Sequence, residues 1–199
     1  MHLNGANSSC VGCHTAKQAD PKCAGCHESM SPTRKASDAT CKACHLASTV
    51  ENKALPKDPK DAAELAEEIL ADRKATVATL DEKDIPDIVT LKSLTDKYQP
   101  VEMPHRKMVQ KLAANIKDNR LANYFHADPA TLCQGCHHNS PLAKTPPQCG
   151  SCHGTPFDDR NPFRPGLMAA YHQQCMGCHD EMGIQKPANR DCIACHKEK

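Results

Sequence analysis

Cys133-Gln134-Gly135-Cys136-His137-His138 and Tyr171-His172-Gln173-Gln174-Cys175-Met176-Gly177-Cys178-His179 carry the pattern that decides this chain. In each, two cysteines three positions apart are followed at once by a histidine, and a second histidine stands close by. All 14 cysteines fall into such units: Cys10, Cys13 and His14; Cys23, Cys26 and His27; Cys41, Cys44 and His45; Cys133, Cys136 and His137; Cys149, Cys152 and His153; Cys175, Cys178 and His179; and Cys192, Cys195 and His196. None is left over. Two cysteines on one helical turn reach the two vinyl groups of one porphyrin as thioethers, and the next histidine meets the iron, which is the attachment motif of a c-type haem. The chain is therefore expected to hold seven covalent haems c.

Two other uses of paired cysteines compete with this reading. Zinc ribbons also use Cys-x-x-Cys, but they do not require a histidine directly after each pair. A thioredoxin-like dithiol occurs once per domain on a βαβ pattern, and no such pattern runs here. Histidine makes up about 6% of the chain, so seven chance placements after seven cysteine pairs are no explanation.

Composition points the same way. Leu, Ile, Val and Phe together make up about 14% of the 199 residues, there is no Trp, and Tyr and Phe number 3 each. A chain below roughly 20% in those four residues does not usually build a core of its own, and mean hydropathy is −0.64. Something other than side chains has to fill the middle, and porphyrins are the expected filling. The net charge of +1 is spread along the chain, with no basic block for a nucleic acid. No apolar run approaches the ~20 residues of a membrane span, and no charged-then-apolar export segment opens the chain.

Twelve histidines minus the seven of the motifs leave five, His2, His105, His126, His138 and His172, as candidates for the sixth iron position. Neighbouring helical residues point about 100° apart, so His137 and His138 cannot bind opposite faces of one iron, and His138 is expected at another haem. His172, three residues before Cys175 and on the same expected helix, is sent elsewhere by the same argument. His105 shares a helical face with Met108, Val109, Leu112 and Ile116, expected to look inward, with Arg106, Lys107, Lys111 and Lys117 mostly on a solvated side. His126 stands near several motifs. Five ligands for seven irons leave two short. Methionine is an alternative ligand, from Met1, Met30, Met103, Met108, Met168, Met176 or Met182, and an open iron or a ligand from protein upstream of Met1 would also close the count.

The motifs stand three in the first part and four in the last. This divides the chain into a trihaem segment at 1–49, a linker with one helix at 50–100 and a tetrahaem domain at 101–199. The linker helix is expected near Asp61–Lys74, capped by Asp61, with Leu65, Ile69 and Leu70 on its apolar face. One short strand is expected around Ile88-Val89-Thr90-Leu91, and a helix from Pro104. With 15 Pro and 9 Gly, the fold class is mostly α and coil with little strand, around a haem-packed core.

Asp96-Lys97-Tyr98-Gln99-Pro100, Pro104-His105-Arg106-Lys107, Tyr124-Phe125-His126, Cys133 to Pro141, Pro165-Gly166-Leu167 and Ala170 to His179 closely resemble the class III, cytochrome c3-like multihaem cytochromes of sulfate-reducing bacteria, in particular the C-terminal part of the high-molecular-weight cytochromes c. Residues 1–45 resemble the preceding part of that group, with His2 like a distal ligand and the unit of Cys41, Cys44 and His45 like an isolated haem between modules. Residues 50–85 match least. Members of that group are much longer, so the chain looks like a C-terminal fragment or a shortened relative. The resemblance implies a cytochrome c3-like tetrahaem module at about 101–199 with bis-histidine irons. It implies His126 or His105 for the haem on Cys133 and Cys136 and the haem on Cys175 and Cys178. It implies His138 for the haem on Cys149 and Cys152, His172 for that on Cys192 and Cys195, and His2 for that on Cys23 and Cys26. It further implies a periplasmic electron carrier, not an enzyme, that takes electrons from periplasmic hydrogenase and small cytochrome c3 and passes them to a membrane-bound redox complex. The rival class is a multihaem reductase of a small oxyanion, which would need an open-coordination haem; nothing in the sequence marks a substrate pocket.

Overall fold

The structure, a computed structural model, describes residues 18–27, 58–61, 63–64, 79–93, 95–155 and 157–199. Several expectations fall outside them: His2 as a distal ligand, Cys10 and Cys13 with His14, Cys41 and Cys44 with His45, and the apolar face of Leu65, Ile69 and Leu70. The elements run as helix α1 (Pro21–His27), a 3-10 turn (Glu82–Asp84), strands β1 (Val89–Leu91) and β2 (Val101–Met103), and helices α2 (His105–Ile116), α3 (Arg120–Phe125) and α4 (Ala130–Cys133). A second 3-10 turn (Cys149–Ser151) and helices α5 (Leu167–Glu181) and α6 (Cys192–Cys195) follow. The protein is mostly helix and coil with one small two-stranded sheet.

The strand expected at Val89–Leu91 has a partner that the sequence hid. β1 and β2 pair antiparallel, Val89 against Met103 and Leu91 against Val101. Val101 and Met103 turn inward while Glu102 faces out, the alternation of a half-buried strand. Three residues bracketed by Pro100 and Pro104 are too few to show that period in sequence. The pair joins residues on both sides of position 100. A second tie lies alongside: Tyr98 bridges Glu198 antiparallel, and the Gln99 N–H donates to the Lys197 carbonyl at 2.8 Å.

The linker helix begins earlier than expected. Residues 59–61 and 63–64 are helical, and Asp58 Oδ1 accepts the Lys60 N–H at 2.7 Å. Asp58 is thus the cap in place of Asp61, because Asp58-Pro59 sets an N-cap before a proline at the first helical position, where its missing N–H costs nothing.

On α2, His105, Val109, Leu112 and Ile116 are half-buried as expected, but Met108 is exposed and Arg106 is not on the solvated side. Its Nε donates to the Ile85 carbonyl at 3.0 Å and its backbone N–H to Asp87 at 3.2 Å, so it ties the helix start to the chain before β1. Lys144 reaches Asp84 at 2.8 Å from the far side of the same segment. α3 begins at Asn119, whose side chain accepts the Ala122 N–H at 3.0 Å.

Among the described residues only Ala24, Ile85, Ala130 and Leu167 form buried apolar core, whereas Phe163 is 95% exposed and Ile193 65%. The polypeptide does not bury its own large side chains, as its composition implies. Packing between segments comes instead from close backbone approach. α1 lies against α5, and a β-carbon on Gly25 would overlap the Met182 side chain and lie 2.9 Å from Cys178 Sγ. Only glycine permits that contact, and it sets the motif of residues 23–27 beside that of residues 175–179.

Candidate functional site

Each described cysteine motif is built on the same turn, whatever element carries it. The N–H of His137 donates to the Cys133 carbonyl at 2.8 Å, that of His153 to Cys149 at 2.9 Å and that of His196 to Cys192 at 2.8 Å. Cys175, Cys178 and His179 lie within α5, and Cys23, Cys26 and His27 within α1. Positions i, i+3 and i+4 of an α-turn share one face, so both sulfurs and the imidazole are presented together.

The imidazoles come in pairs, and each pair joins one motif histidine to one of the spare ones. Ring centroids are 6.4 Å apart for His137 and His105, 5.8 Å for His153 and His138, 6.0 Å for His196 and His172, and 6.2 Å for His27 and His126. Two metal–nitrogen bonds of about 2 Å, plus the distance from each Nε2 to its own ring centre, put two imidazoles that share one iron roughly 6 Å apart, centre to centre. The four pairs fit that spacing. His137 and His138, adjacent in sequence, turn to different partners, as their helical geometry requires.

The second nitrogen of several rings is tied down. His137 Nδ1 donates to the Pro147 carbonyl at 3.1 Å and His153 Nδ1 to the Pro165 carbonyl at 2.8 Å. A carbonyl only accepts, so the proton sits on Nδ1 and Nε2 keeps its lone pair for a metal. His126 Nδ1 lies 3.1 Å from Thr131 Oγ1, whose own hydroxyl donates to the Asp128 carbonyl at 2.6 Å. That leaves the Thr131 oxygen to accept from Nδ1, and Nε2 is again the open nitrogen. His105 Nδ1 is buried without a hydrogen bond of good geometry. Burial first, and the adjoining His137, hold His105 below the ordinary imidazole pKa, against the Pro86 carbonyl. Burial, with His153 and His137, does the same to His138. Both rings are kept neutral, the form that binds a metal.

The cysteines differ in how far the polypeptide covers them. Cys136, Cys152, Cys192 and Cys195 are exposed, while Cys23, Cys26, Cys133, Cys149, Cys175 and Cys178 are half-buried. Burial raises the Cys149 thiol. A thioether needs sulfur within reach of a porphyrin edge, and none of these six half-buried or four exposed residues is closed off entirely.

Most of the affected thiols are held in the neutral form. Burial, then Cys178 and Cys23, push the Cys26 thiol up to about 11. Cys136, although part of its surface reaches solvent, is pushed up to about 12 by desolvation and by the thiols of Cys26, Cys178, Cys175 and Cys149. A redox dithiol depends on a readily formed thiolate, which this burial opposes. No disulfide joins the described cysteines, and no group of three or more His, Cys, Asp or Glu among the described residues is arranged to hold a bare metal ion.

One expected partnership differs. His126 faces His27, not His137 or His179; His2, the ligand expected at the haem on Cys23 and Cys26, lies outside the described residues. Spacing along the chain relates His126 to the motif that follows it. It does not reveal that α1, from the first cluster, packs into the second through Gly25. Among the described residues no ring faces His179. A further contact carried little sequence signal: the Tyr98 ring lies 5.0 Å from His196.

Residues 92–199 match the class III cytochrome c family. The chain is 50% identical over its whole length to the high-molecular-weight cytochrome c of Nitratidesulfovibrio vulgaris, spanning 37% of that protein. It is 42% identical to the nine-haem cytochrome c of Desulfovibrio desulfuricans over 95% of this chain and 60% of that one. Among solved structures, the high-molecular-weight cytochrome c of Desulfovibrio vulgaris (Miyazaki F), determined in the presence of zinc ion, superposes on the full chain with a TM-score of 0.81 at 48% identity, over 39% of its own length. The chain thus spans between 37% and 60% of the length of these relatives. A family match covering more than half of the residues, on a fold shared with solved relatives of the same kind, places this chain in the class III cytochrome c family.

Proposed function

We propose that this chain carries electrons through seven low-potential haems c, one on each Cys-x-x-Cys-His unit, and that it does so as a conduit rather than as an enzyme. The observation that supports this most is the set of four imidazole pairs, each matching one motif histidine with one histidine from another segment at the spacing of a shared iron. A haem between two imidazoles supplies a one-electron couple at low potential, because it lacks the methionine that raises it.

The residues of the chain serve that task by holding still. The thioether cysteines fix each porphyrin, and the histidine on the same turn fixes its iron. The Pro147 and Pro165 carbonyls hold His137 and His153 by their Nδ1 protons and make them stronger donors to iron, which favours the oxidised state. Because His105, His126, His138 and His172 come from other segments, each spare ligand also ties two parts of the chain together. With about 28 residues per haem, little polypeptide separates one site from the next.

The same reading places the protein in the periplasm, with periplasmic hydrogenase and small cytochrome c3 as donors and a membrane-bound redox complex as acceptor, and with 1–49, 50–100 and 101–199 as trihaem segment, linker and tetrahaem module. No helix among the described residues is long and apolar enough to cross a membrane. The test is a reductive titration of the holoprotein. Reversible uptake of seven electrons per chain, with no reoxidation by nitrite or sulfite, is the expected result. Rapid turnover of either oxyanion at one iron would support the reductase reading instead.

A further inference from the structure

His196 differs from His137 and His153 in what holds it. His137 and His153 are each fixed by a carbonyl on Nδ1. Neither ring nitrogen of His196 makes a hydrogen bond among the described residues. Against its ring lies Tyr98, with centroids 5.0 Å apart and 35° between planes, while His172 stands across from it at 6.0 Å and 73°. Both Tyr98 and His196 are half-buried.

Tyr98 is brought there by a dedicated backbone tie. It bridges Glu198 antiparallel, the Gln99 N–H donates to the Lys197 carbonyl at 2.8 Å, and Gln99 Nε2 donates to the Glu198 carbonyl at 2.7 Å. These bonds grip the residues immediately after His196 and are made by the residues at and next to Tyr98. They fix the two rings relative to each other. Neither motif geometry nor the pairing of imidazoles accounts for this strap.

We propose that Tyr98 is a positioning residue for His196: its ring sets the plane of that imidazole and shields it from water, and so sets the potential and low-spin signature of the haem held by Cys192 and Cys195. The inference rests on the reading of His172 and His196 as an axial pair. A flat aromatic neighbour restricts rotation about the bond to the imidazole, as a hydrogen bond on Nδ1 does elsewhere in this chain. Removing the ring admits water, which stabilises the more highly charged oxidised iron and lowers the potential.

The test uses the full holoprotein with Tyr98→Phe and Tyr98→Leu. Potentiometry and electron paramagnetic resonance (EPR) of Tyr98→Leu should show one reduction step moved to lower potential and one low-spin signal altered, with the other steps in place. Tyr98→Phe, which keeps the ring, should match the wild type in both. Unchanged potentials and spectra in Tyr98→Leu would overturn the inference, as would changes spread over several steps or a Tyr98→Phe variant that behaves like Tyr98→Leu. The haem count and a His172→Met variant are measured in parallel. Absence of the haem on Cys192 and Cys195, or no change of any haem in His172→Met, would refute the axial-pair reading itself, whereas a normal result in both with a silent Tyr98→Leu refutes only the role of Tyr98.

Discussion

The imidazole of His138 lies 5.8 Å from that of His153 with only 23° between the ring planes. The pairs His105/His137 and His172/His196 are turned by 71° and 73°. Each axial imidazole splits the two iron dπ orbitals along its own plane, so near-parallel rings add their effects and near-perpendicular rings cancel them. The oxidised protein should therefore give a rhombic EPR signal from the haem on Cys149 and Cys152. The haem on Cys133 and Cys136 and that on Cys192 and Cys195 should give large-g, highly anisotropic signals. Removing His138 by His138→Met should delete a rhombic component and leave the large-g signals. Loss of a large-g signal instead would show the angles to be misassigned.

His126 belongs by sequence to the second cluster but faces His27 of the first. His126→Ala in the holoprotein is expected to open one iron, raising the number of carbon monoxide molecules bound per reduced chain by one. The haems with His105, His138 and His172 should keep their spectra. An unchanged carbon monoxide stoichiometry would mean that His126 is not an axial ligand.

Much of the site was legible because covalent haem attachment demands a fixed local pattern. Cys-x-x-Cys-His states its chemistry without reference to tertiary structure, and the adjacency of His137 and His138 already forbids a common iron. The α2 helix showed through its local periodicity, and a helix carrying His172 and Cys175 through the spacing of its motif. What escaped depends on contacts between distant segments. β2 is three residues between prolines, and its strand character comes from pairing with Val89–Leu91. The facing of His27 and His126 depends on Gly25 admitting α5, and the contact of Tyr98 with His196 depends on a bridge from residue 98 to residue 198. The helix start at Asp58 was in reach, since Asp-Pro is a strong start signal, but acidic Asp61 drew the cap three residues too far.

The pairings leave the ligand shortfall at two but change which haems are candidates for it. On the proposed count of seven haems, four have a facing pair of imidazoles among the described residues; His2, His14 and His45 lie outside those residues, and among the described residues no ring faces His179. The reduced 199-residue holoprotein is expected to bind about two carbon monoxide molecules, and one more in His2→Ala, with the haem on Cys175 and Cys178 now among the candidates beside those on Cys10 and Cys13 and on Cys41 and Cys44. A protein that binds none in either form would contradict the count.

Arg106 offers a test of the scaffold separate from the haems. Its Nε bond to the Ile85 carbonyl is part-buried, and hydrogen bonds from charged groups contribute about 1.5–3 kcal/mol. Arg106→Ala should lower the unfolding free energy of the holoprotein by roughly that amount without altering its visible spectrum. By contrast, Lys144→Ala removes an exposed ion pair with Asp84 and should change stability by less than about 1 kcal/mol. Denaturant titration followed at the haem absorbance measures both.

The central claim is that every Cys-x-x-Cys-His unit holds its own haem by thioether bonds. Intact mass spectrometry of the holoprotein under denaturing conditions, which strip any haem not covalently bound, tests it most directly. The expected spectrum is a single species carrying seven haems with no cysteine left to alkylate; a mass with fewer haems, or with free thiols or bound zinc in their place, would contradict it.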